Sequence, residues 1–181
     1  MPRTPTRNSR VHIRPIALSD EAEFLRNVRA SRAFHRPWSY PPSSPDAFRA
    51  HVGAANAHDQ RLVVCRNDDG AIVGYFGLSQ IVLGHFRNAY LGYYAFEPHA
   101  GQGYMREGLE LVLRYAFDNL RLHRVQASIQ PGNERSAALV RGAGFRNEGL
   151  ALRYLKVGGR WRDHERWAMT VEDRRARGRS A

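Results

Sequence analysis

Apolar and polar residues follow two different periods along this chain. In some stretches apolar residues alternate with polar ones or form short runs that end at turn residues, as strands do. This pattern predicts seven strands, at residues 11–16, 61–66, 71–81, 88–96, 123–129, 145–157 and 160–171. The last two flank Gly158-Gly159, which is typical of a two-residue hairpin turn.

In other stretches the apolar residues recur every three or four positions, as on one face of a helix. This period predicts four helices, at about residues 20–30, 45–58, 105–120 and 133–144. The order is strand, two helices, three strands, helix, strand, helix and hairpin. It predicts a mixed α/β domain built around one sheet.

The composition is that of one folded domain. The 181 residues are 43% hydrophobic and 25% charged. We expect a domain over 11–172, with a basic N-terminal tail at 1–10 and a basic C-terminal tail at 173–181. There is no apolar run of about 20 residues, which a membrane span needs, and no signal-peptide pattern at the N-terminus. With the single Cys65 as core filler, these features predict a cytoplasmic protein.

The chain is strongly basic. It has 28 Lys and Arg against 17 Asp and Glu, a formal net charge of +11, and Lys156 is the only lysine. Such a charge attracts phosphorylated small molecules and RNA, without identifying either. We expect at most weak RNA or ribosome association through the tails. The eight histidines show no metal-ligand spacing, so we predict no metal.

A glycine-rich segment, Pro98–Glu107, lies between a predicted strand and a predicted helix. Main-chain N–H groups at the start of a helix have no partner within the helix and lie at its positive end. They can therefore hold a phosphate or diphosphate. Gly101 and Gly103 let the backbone approach such a ligand closely, because glycine has no Cβ.

Five motifs in order give the chain a family resemblance. They are Arg36-Pro-Trp38, Tyr90-Leu-Gly-Tyr93, Gly101-Gln-Gly-Tyr-Met105 with Glu107, Asn133-Glu-Arg-Ser136 followed by Gly144-Phe145, and Gly159-Arg-Trp-Arg-Asp-His164. With them the sequence resembles the GNAT superfamily of N-acetyltransferases, and within it the ribosomal-protein-alanine type (RimJ and RimL). The resemblance covers about residues 11–171.

The resemblance implies a mostly antiparallel sheet of about seven strands, splayed in a V and flanked by about four helices. Acetyl-CoA would lie in the opening between the strands that end near Phe96 and Ile129, and a main-chain N–H near 94–96 would stabilise the oxyanion. The implied cofactor-binding residues are Tyr94, Ala95, Phe96, Gly101, Gln102, Gly103, Tyr104, Met105, Arg106, Asn133 and Ser136.

The implied reaction transfers an acetyl group directly from CoA to an amine. An α-amine has a pKa of about 7.7–8.0 and a lysine about 10.4, so near pH 7.4 roughly a third of α-amines but only about one lysine in a thousand are neutral. A protein N-terminal α-amine, such as that of a ribosomal protein, therefore depends less on a strong general base than a lysine side chain does. By resemblance Ser136 lies beside the sulfur as a catalytic residue. Alternatively, Asn133 and Ser136 form only a helix cap.

The terminal hairpin suggests where the amine binds. With Gly158-Gly159 as the turn, Tyr154 faces Asp163 across the ladder. The hypothesis is that Asp163 recognises or deprotonates the amine, and the alternative is a structural ion pair between Asp163 and an arginine. Trp38 and Tyr40 would form the opposite wall, so the expected substrate-binding residues are Trp38, Tyr40, Tyr154 and Asp163.

Two other functions remain open at this stage. The acceptor can instead be a small amine, such as a polyamine or an aminoglycoside. The chain can also be a ribosome-binding or RNA-binding protein with a vestigial acetyl-CoA site. The sequence does not distinguish a monomer from a homodimer.

Overall fold

One sheet of seven strands runs through the molecule, as predicted. In the computed structural model, which describes residues 9–179, the strands are β1 (Val11–Pro15), β2 (Gln60–Arg66), β3 (Ile72–Val82), β4 (Asn88–Ala95), β5 (Arg124–Ile129), β6 (Arg146–Val157) and β7 (Arg160–Thr170). The helices of these residues are α1 (Glu21–Ala30), α2 (Arg32–His35), α3 (Pro45–Gly53), α4 (Tyr104–Arg114), α5 (Glu134–Ala143) and α6 (Val171–Arg179).

The sheet is mixed and mostly antiparallel. Its strand order is β1-β2-β3-β4-β5-β7-β6, and β4 and β5 form its one parallel pair. These two strands pair only over Asn88–Tyr90 and Arg124–Gln126. Beyond that point β4 continues to Ala95 and β5 to Ile129, but the two strands no longer pair with each other. The sheet therefore opens in a V between β4 and β5, which confirms the expected splay.

Helices cover both faces of the sheet. This explains why the sequence of β2 is continuously apolar. Leu62 and Val64 pack in one buried cluster with residues of α4 and α5. Val63 and Cys65 pack in a second cluster with Phe24 and Phe48, which come from α1 and α3. Because successive side chains of a strand point to opposite faces, a strand buried on both sides needs apolar residues throughout.

Two helices were not predicted, so the structure has six rather than four. The single turn α2 lies where proline and aromatic residues obscured the helical pattern. Helix α6 occupies most of the segment predicted to be a C-terminal tail. It is polar, but Asp173 accepts hydrogen bonds from Thr170 N (2.8 Å) and Oγ1 (3.0 Å), which caps its start. Arg174 and Arg177 then pair with Asp118 and Glu110.

The N-terminal tail was also drawn too long. Arg10 belongs to the folded domain, as described below, whereas Arg3 and Arg7 lie outside the described residues. Among the helices of residues 9–179, none combines the length and the apolarity that crossing a bilayer requires.

A half-buried histidine links folding to pH. His51 of α3 packs on the ring of Tyr75, with 5.2 Å between ring centroids. Burial, assisted by the nearby charge of Arg61, lowers the pKa of His51 to about 4. The unfolded chain, with a histidine pKa of about 6.5, therefore binds more protons than the folded chain between about pH 4 and pH 6.5.

We predict that the free energy of unfolding rises with pH across this window and that His51→Phe makes the rise shallower. Phenylalanine keeps a ring on Tyr75 but cannot bind a proton. Urea unfolding at several pH values between 4.5 and 7 measures the slope. Burial also lowers the pKa of His35 and His164, so some slope should remain. An unchanged slope in the variant would contradict the assignment to His51.

Candidate active site

The glycine-rich segment presents a row of free main-chain donors. Gly101 and Gly103 have φ values of 76° and 84°, and Gly103 immediately precedes α4. Among the described residues, the N–H groups of Gly101, Gln102, Gly103, Tyr104 and Met105 have no acceptor. The two N–H groups that flank this row are occupied, because Ala100 donates to Glu97 O (3.1 Å) and Arg106 to Gly103 O (3.1 Å). This row of five donors can bind a diphosphate.

The free donors reduce the number of residues that can bind the cofactor in the way predicted. Arg106 N–H is already bonded, so Arg106 drops out as a main-chain donor. Met105 contributes only its N–H, since its side chain is packed on β3: a Cβ added to Gly74 would lie 2.2 Å from Met105 Sδ. A Cβ added to Gly101 would meet no protein atom within 4 Å, which leaves room for a ligand in front of this residue.

Arg10 holds the glycine-rich segment in place. Its Nη2 donates to Gln102 O (2.8 Å) and its Nε donates to Glu107 Oε1 (2.7 Å). Its guanidinium also lies 4.7 Å from the ring centroid of Tyr104. Arg10 directly precedes β1 and thus joins this strand to the middle and to the C-terminal end of the segment. Its assignment to a basic tail was wrong, because local sequence gives no sign of a contact 97 residues away.

The end of β4 offers one main-chain donor to the opening rather than three. Phe96 N donates to Val73 O (3.0 Å), and in the same register Tyr94 is opposite Tyr75 and Ala95 opposite Gly74. Hydrogen-bonded and non-bonded pairs alternate along an antiparallel ladder, so Tyr94 and Phe96 bond to β3. The main chain of Ala95 faces the other side, which is the opening. Tyr94 and Phe96 therefore lack the free N–H groups expected of them.

His35 fixes the peptide that follows Ala95. This buried side chain of α2 donates from Nε2 to Ala95 O (2.7 Å), and its ring centroid lies 5.4 Å from that of Tyr94. Burial lowers the pKa of His35, although the bond to the carbonyl opposes this effect. The neutral ring therefore carries its proton on Nε2. Nothing in the sequence marks His35, because a lone histidine in an aromatic loop has no distinguishing pattern.

Ser136 and Tyr93 form a hydroxyl pair across the opening. Tyr93 Oη lies 2.7 Å from Ser136 Oγ and 3.1 Å from Ser136 O, and its one proton can be donated to either of these oxygens. Burial raises the pKa of Tyr93, so its hydroxyl stays protonated at neutral pH. Asn133 Oδ1 accepts from Ser136 N (3.3 Å), so Asn133 caps α5. The capping alternative thus holds for Asn133, while the Ser136 hydroxyl remains available for another role.

A cavity of about 290 Å³ lies beside the start of α5. It is lined by Pro37, Trp38, Gln130, Pro131, Arg162 and Asp163. Gln130 Nε2 donates to Trp38 O (3.1 Å), which ties the loop before α3 to the turn after β5. Two of the predicted substrate-binding residues, Trp38 and Asp163, are therefore brought together.

The other two predicted substrate-binding residues lie elsewhere. Tyr40 covers the β6–β7 turn, where a Cβ on Gly158 would fall 2.4 Å from its hydroxyl, and Arg36 lies 3.7 Å from its ring centroid. Tyr154 packs near His164, with 6.2 Å between ring centroids. Neither residue lines the cavity. Tyr40 instead joins the loop before α3 to the β6–β7 hairpin, and this loop and this hairpin both border the cavity.

The hairpin register follows the prediction from the turn back to Leu155 and departs from it at the residues before Leu155. Val157 faces Arg160 as expected, but between Ala151 and Leu155 the strand bulges, and Arg153 adopts a φ of 49°. Tyr154 is therefore not part of the regular ladder opposite Asp163. In the bulge Arg153 N donates to Asp163 Oδ1 (2.7 Å).

Asp163 forms no ion pair within residues 9–179, so the expected pair with an arginine is wrong. A main-chain N–H satisfies one carboxylate oxygen, and the other has no partner there. Glu165, which the sequence places on the same face, accepts from Trp167 Nε1 (3.0 Å) and Asn147 Nδ2 (3.2 Å). Both of these bonds go to Oε2 of Glu165, and Glu165 does not line the cavity. The carboxylate with an unused oxygen beside the cavity is therefore that of Asp163.

Both the sequence and the fold are similar to those of known proteins. A model of the acetyltransferase (GNAT) domain matches residues 10–146. The [ribosomal protein uS5]-alanine N-acetyltransferase of Escherichia coli is 34% identical over 152 residues, which cover 79% of this chain and 78% of that protein. The solved structure of Mycobacterium smegmatis RimJ in complex with CoA-disulfide has a TM-score of 0.83 at 30% identity, and the match covers 90% of this chain and 83% of that chain.

A relative with a different acceptor is more distant. The spermidine N(1)-acetyltransferase of Vibrio cholerae is 24% identical over 161 residues, which cover 88% of this chain and 92% of that protein.

We predict that Gly101→Ala weakens acetyl-CoA binding, while Gly70→Ala does not. Both glycines have a φ of 76°, and a Cβ on either would meet no protein atom within 4 Å. Each substitution should therefore cost about 1–2 kcal/mol of stability for left-handed backbone, but only Gly101 belongs to the row of free donors. Urea unfolding measures the first effect and isothermal titration calorimetry the second. Equal acetyl-CoA affinities for the two variants would show that the ligand does not approach Gly101.

Proposed function

The chain belongs to the GNAT family of acetyltransferases, and from this premise we propose that it acetylates the N-terminal α-amine of a protein. GNAT N-acetyltransferases use acetyl-CoA. We assign the acceptor to the class of ribosomal proteins, in line with the alanine acetylated by the E. coli relative. The observation that carries the proposal is the row of five free N–H groups beside an opening in the sheet.

The binding of acetyl-CoA follows from the free donors of the chain. The N–H groups of residues 101–105 hold the diphosphate at the start of α4, where the helix dipole also favours negative charge. The unpaired edge of β4 supplies main-chain partners for the pantetheine amides. The thioester then lies near Ala95, at the end of β4.

Ala95 and His35 stabilise the oxyanion of the tetrahedral intermediate. Ala95 N–H faces the opening and donates to the thioester oxygen as it gains charge. His35 acts through Ala95 as a positioning residue, since its bond to Ala95 O fixes the main chain of the residue that carries the donor. A donor fixed in advance costs no reorganisation when the charge develops.

Ser136 and Tyr93 stabilise the leaving thiolate. When the single Tyr93 proton is donated to Ser136 Oγ, the serine proton is free to point at the sulfur. A thiol has a pKa of about 8–9, so a hydrogen bond to the thiolate suffices without full proton transfer. Burial raises the pKa of Tyr93, so the pair remains neutral and able to donate over the whole physiological pH range.

The cavity beside α5 receives the amine. Asp163 is the one carboxylate among its lining residues, and Arg162 lies next to it. One carboxylate can bind the single amino group of a protein N-terminus. A polyamine carries several positive charges, and these would be repelled by Arg162. Trp38 forms the opposite wall and contacts the first side chain of the acceptor.

We predict that Ser136→Ala lowers kcat about ten- to a hundredfold with little change in KM for acetyl-CoA. The lost interaction is a hydrogen bond to a charged group, which is worth about 1.5–3 kcal/mol, and it exists only as the thiolate forms. Tyr93→Phe should cost less, because the serine hydroxyl remains. Steady-state kinetics with a peptide acceptor measures both, and wild-type kcat in Ser136→Ala would refute the role of Ser136.

We predict acetylation of the N-terminal amine of a peptide that also contains lysine, with a higher kcat/KM than for spermidine. Asp163→Asn should raise KM for the peptide more than it lowers kcat. Mass spectrometry of the product locates the acetyl group. Modification of the lysine side chain alone, or a preference for spermidine, would assign the enzyme to another acceptor class.

A further inference from the structure

A second cavity, of about 480 Å³, lies at the other end of the sheet from the glycine-rich segment. Its lining includes His85, Arg87, Phe117, Arg121, His123 and Arg175. Arg87 directly precedes β4, whereas the glycine-rich segment follows the end of that strand. The eight residues of β4, at about 3.3 Å each, therefore separate the two sites by about 25 Å.

The charge around this cavity is positive and largely uncompensated. Arg87, Arg121 and Arg175 are exposed and make no side-chain hydrogen bond, ion pair or ring contact within residues 9–179. Many other arginines of the same residues are paired, including the neighbouring Arg174 with Asp118. Of the nearby carboxylates, Glu172 lies 3.1 Å from His123 Nε2 and Asp118 is paired with Arg174. No carboxylate lines the cavity in this part of the chain.

Two of the arginines are held in left-handed backbone. Arg87 has a φ of 43° and Arg121 a φ of 55°, where a glycine would avoid strain. Hydrogen bonds fix the two loops against each other, since Arg87 O accepts from His123 N (2.7 Å) and Arg124 N (3.1 Å). A π-helical turn, Tyr115–Asn119, precedes Arg121. The side chains of Arg87 and Arg121 are thus carried by two loops that are fixed against each other.

An exposed aromatic ring stands in the same loop. Phe86 is 54% exposed and lies between His85 and Arg87, and Leu83 nearby is 56% exposed. Arginines that contact phosphates next to an exposed ring on which a base can stack are the usual means of binding single-stranded RNA. A phosphorylated small molecule would use the arginines but would not need Phe86.

We propose that this cavity and Phe86 form a binding surface for single-stranded RNA, separate from the acetyl-CoA site. Arg87, Arg121 and Arg175 contact successive phosphates, and Phe86 stacks on an unpaired base. The surface belongs to the folded domain, unlike the basic tails. It places the enzyme on an RNA-containing particle without using the opening between β4 and β5.

The test measures fluorescence anisotropy of a labelled single-stranded RNA of about 10 nucleotides, a length within the usual site sizes. The variants are Arg87→Gly with Arg121→Gly, and separately Phe86→Ala. Glycine removes the charge while it relieves left-handed backbone, so the double variant should unfold at the same or a higher temperature than the wild type. Arg153→Gly is the matched control, since Arg153 is also exposed and has a φ of 49°.

We expect the double variant to bind RNA more weakly, with a salt dependence that is shallower by about 1.4 in the slope of log K against log salt. Each lost phosphate contact accounts for about 0.7 on a single strand. Phe86→Ala should weaken RNA binding about fivefold or more, because it loses one stacked base. Arg153→Gly should bind as the wild type does. Acetyl-CoA affinity should be unchanged in all three.

Two results would overturn the proposal. An unchanged affinity and salt slope in the double variant would show that RNA does not use these arginines. Wild-type RNA binding by Phe86→Ala, together with displacement of the RNA by inorganic tripolyphosphate in the wild type but not in the double variant, would assign the cavity to a small phosphorylated ligand instead.

Discussion

The site depends on the point at which β4 and β5 stop pairing. They share three residue pairs, from Asn88–Arg124 to Tyr90–Gln126, and then part. Burying unpaired main-chain groups is costly, so an edge opened inside a sheet needs other partners. Here the parting leaves Ala95 N–H facing the opening and brings the start of α5 close enough for Ser136 to meet Tyr93. The same strand then leads into the segment whose five N–H groups are free.

The chain has a net charge of +11, yet the groups that face the opening are neutral donors. The donors that face the opening are main-chain N–H groups and two hydroxyls, and a neutral histidine is bonded to Ala95 O. The arginines lie around this opening and at the far end of the sheet, where three of them surround a second cavity. Neutral donors can stabilise a transient oxyanion and thiolate without holding either permanently. The arginines instead suit ligands that are anionic throughout.

Much of the fold was readable because local patterns agree with it. The Gly158-Gly159 turn, the apolar face of α4 and the continuous apolar run of β2 each specify their element. The glycine-rich segment was readable for the same reason. The remaining contacts join distant parts of the chain: Arg10 with Glu107, His35 with Ala95, and Tyr93 with Ser136. Such pairs have no local signature, and a bulge such as that at Arg153 shifts register without a warning in the sequence. Helix α6 had one overlooked signal, Thr170 three residues before Asp173, which forms a capping pair.

The most direct test observes the main-chain N–H groups themselves. Amide resonances of the isotopically labelled protein can be followed by NMR as acetyl-CoA is added. We predict large shifts for the amides of Gly101, Gln102, Gly103, Tyr104, Met105 and Ala95, since these donors are free and would gain acceptors. The amides of Phe96 and Arg106 are already bonded and should move less. Unmoved amides at 101–105, in a protein that still binds acetyl-CoA, would contradict the account.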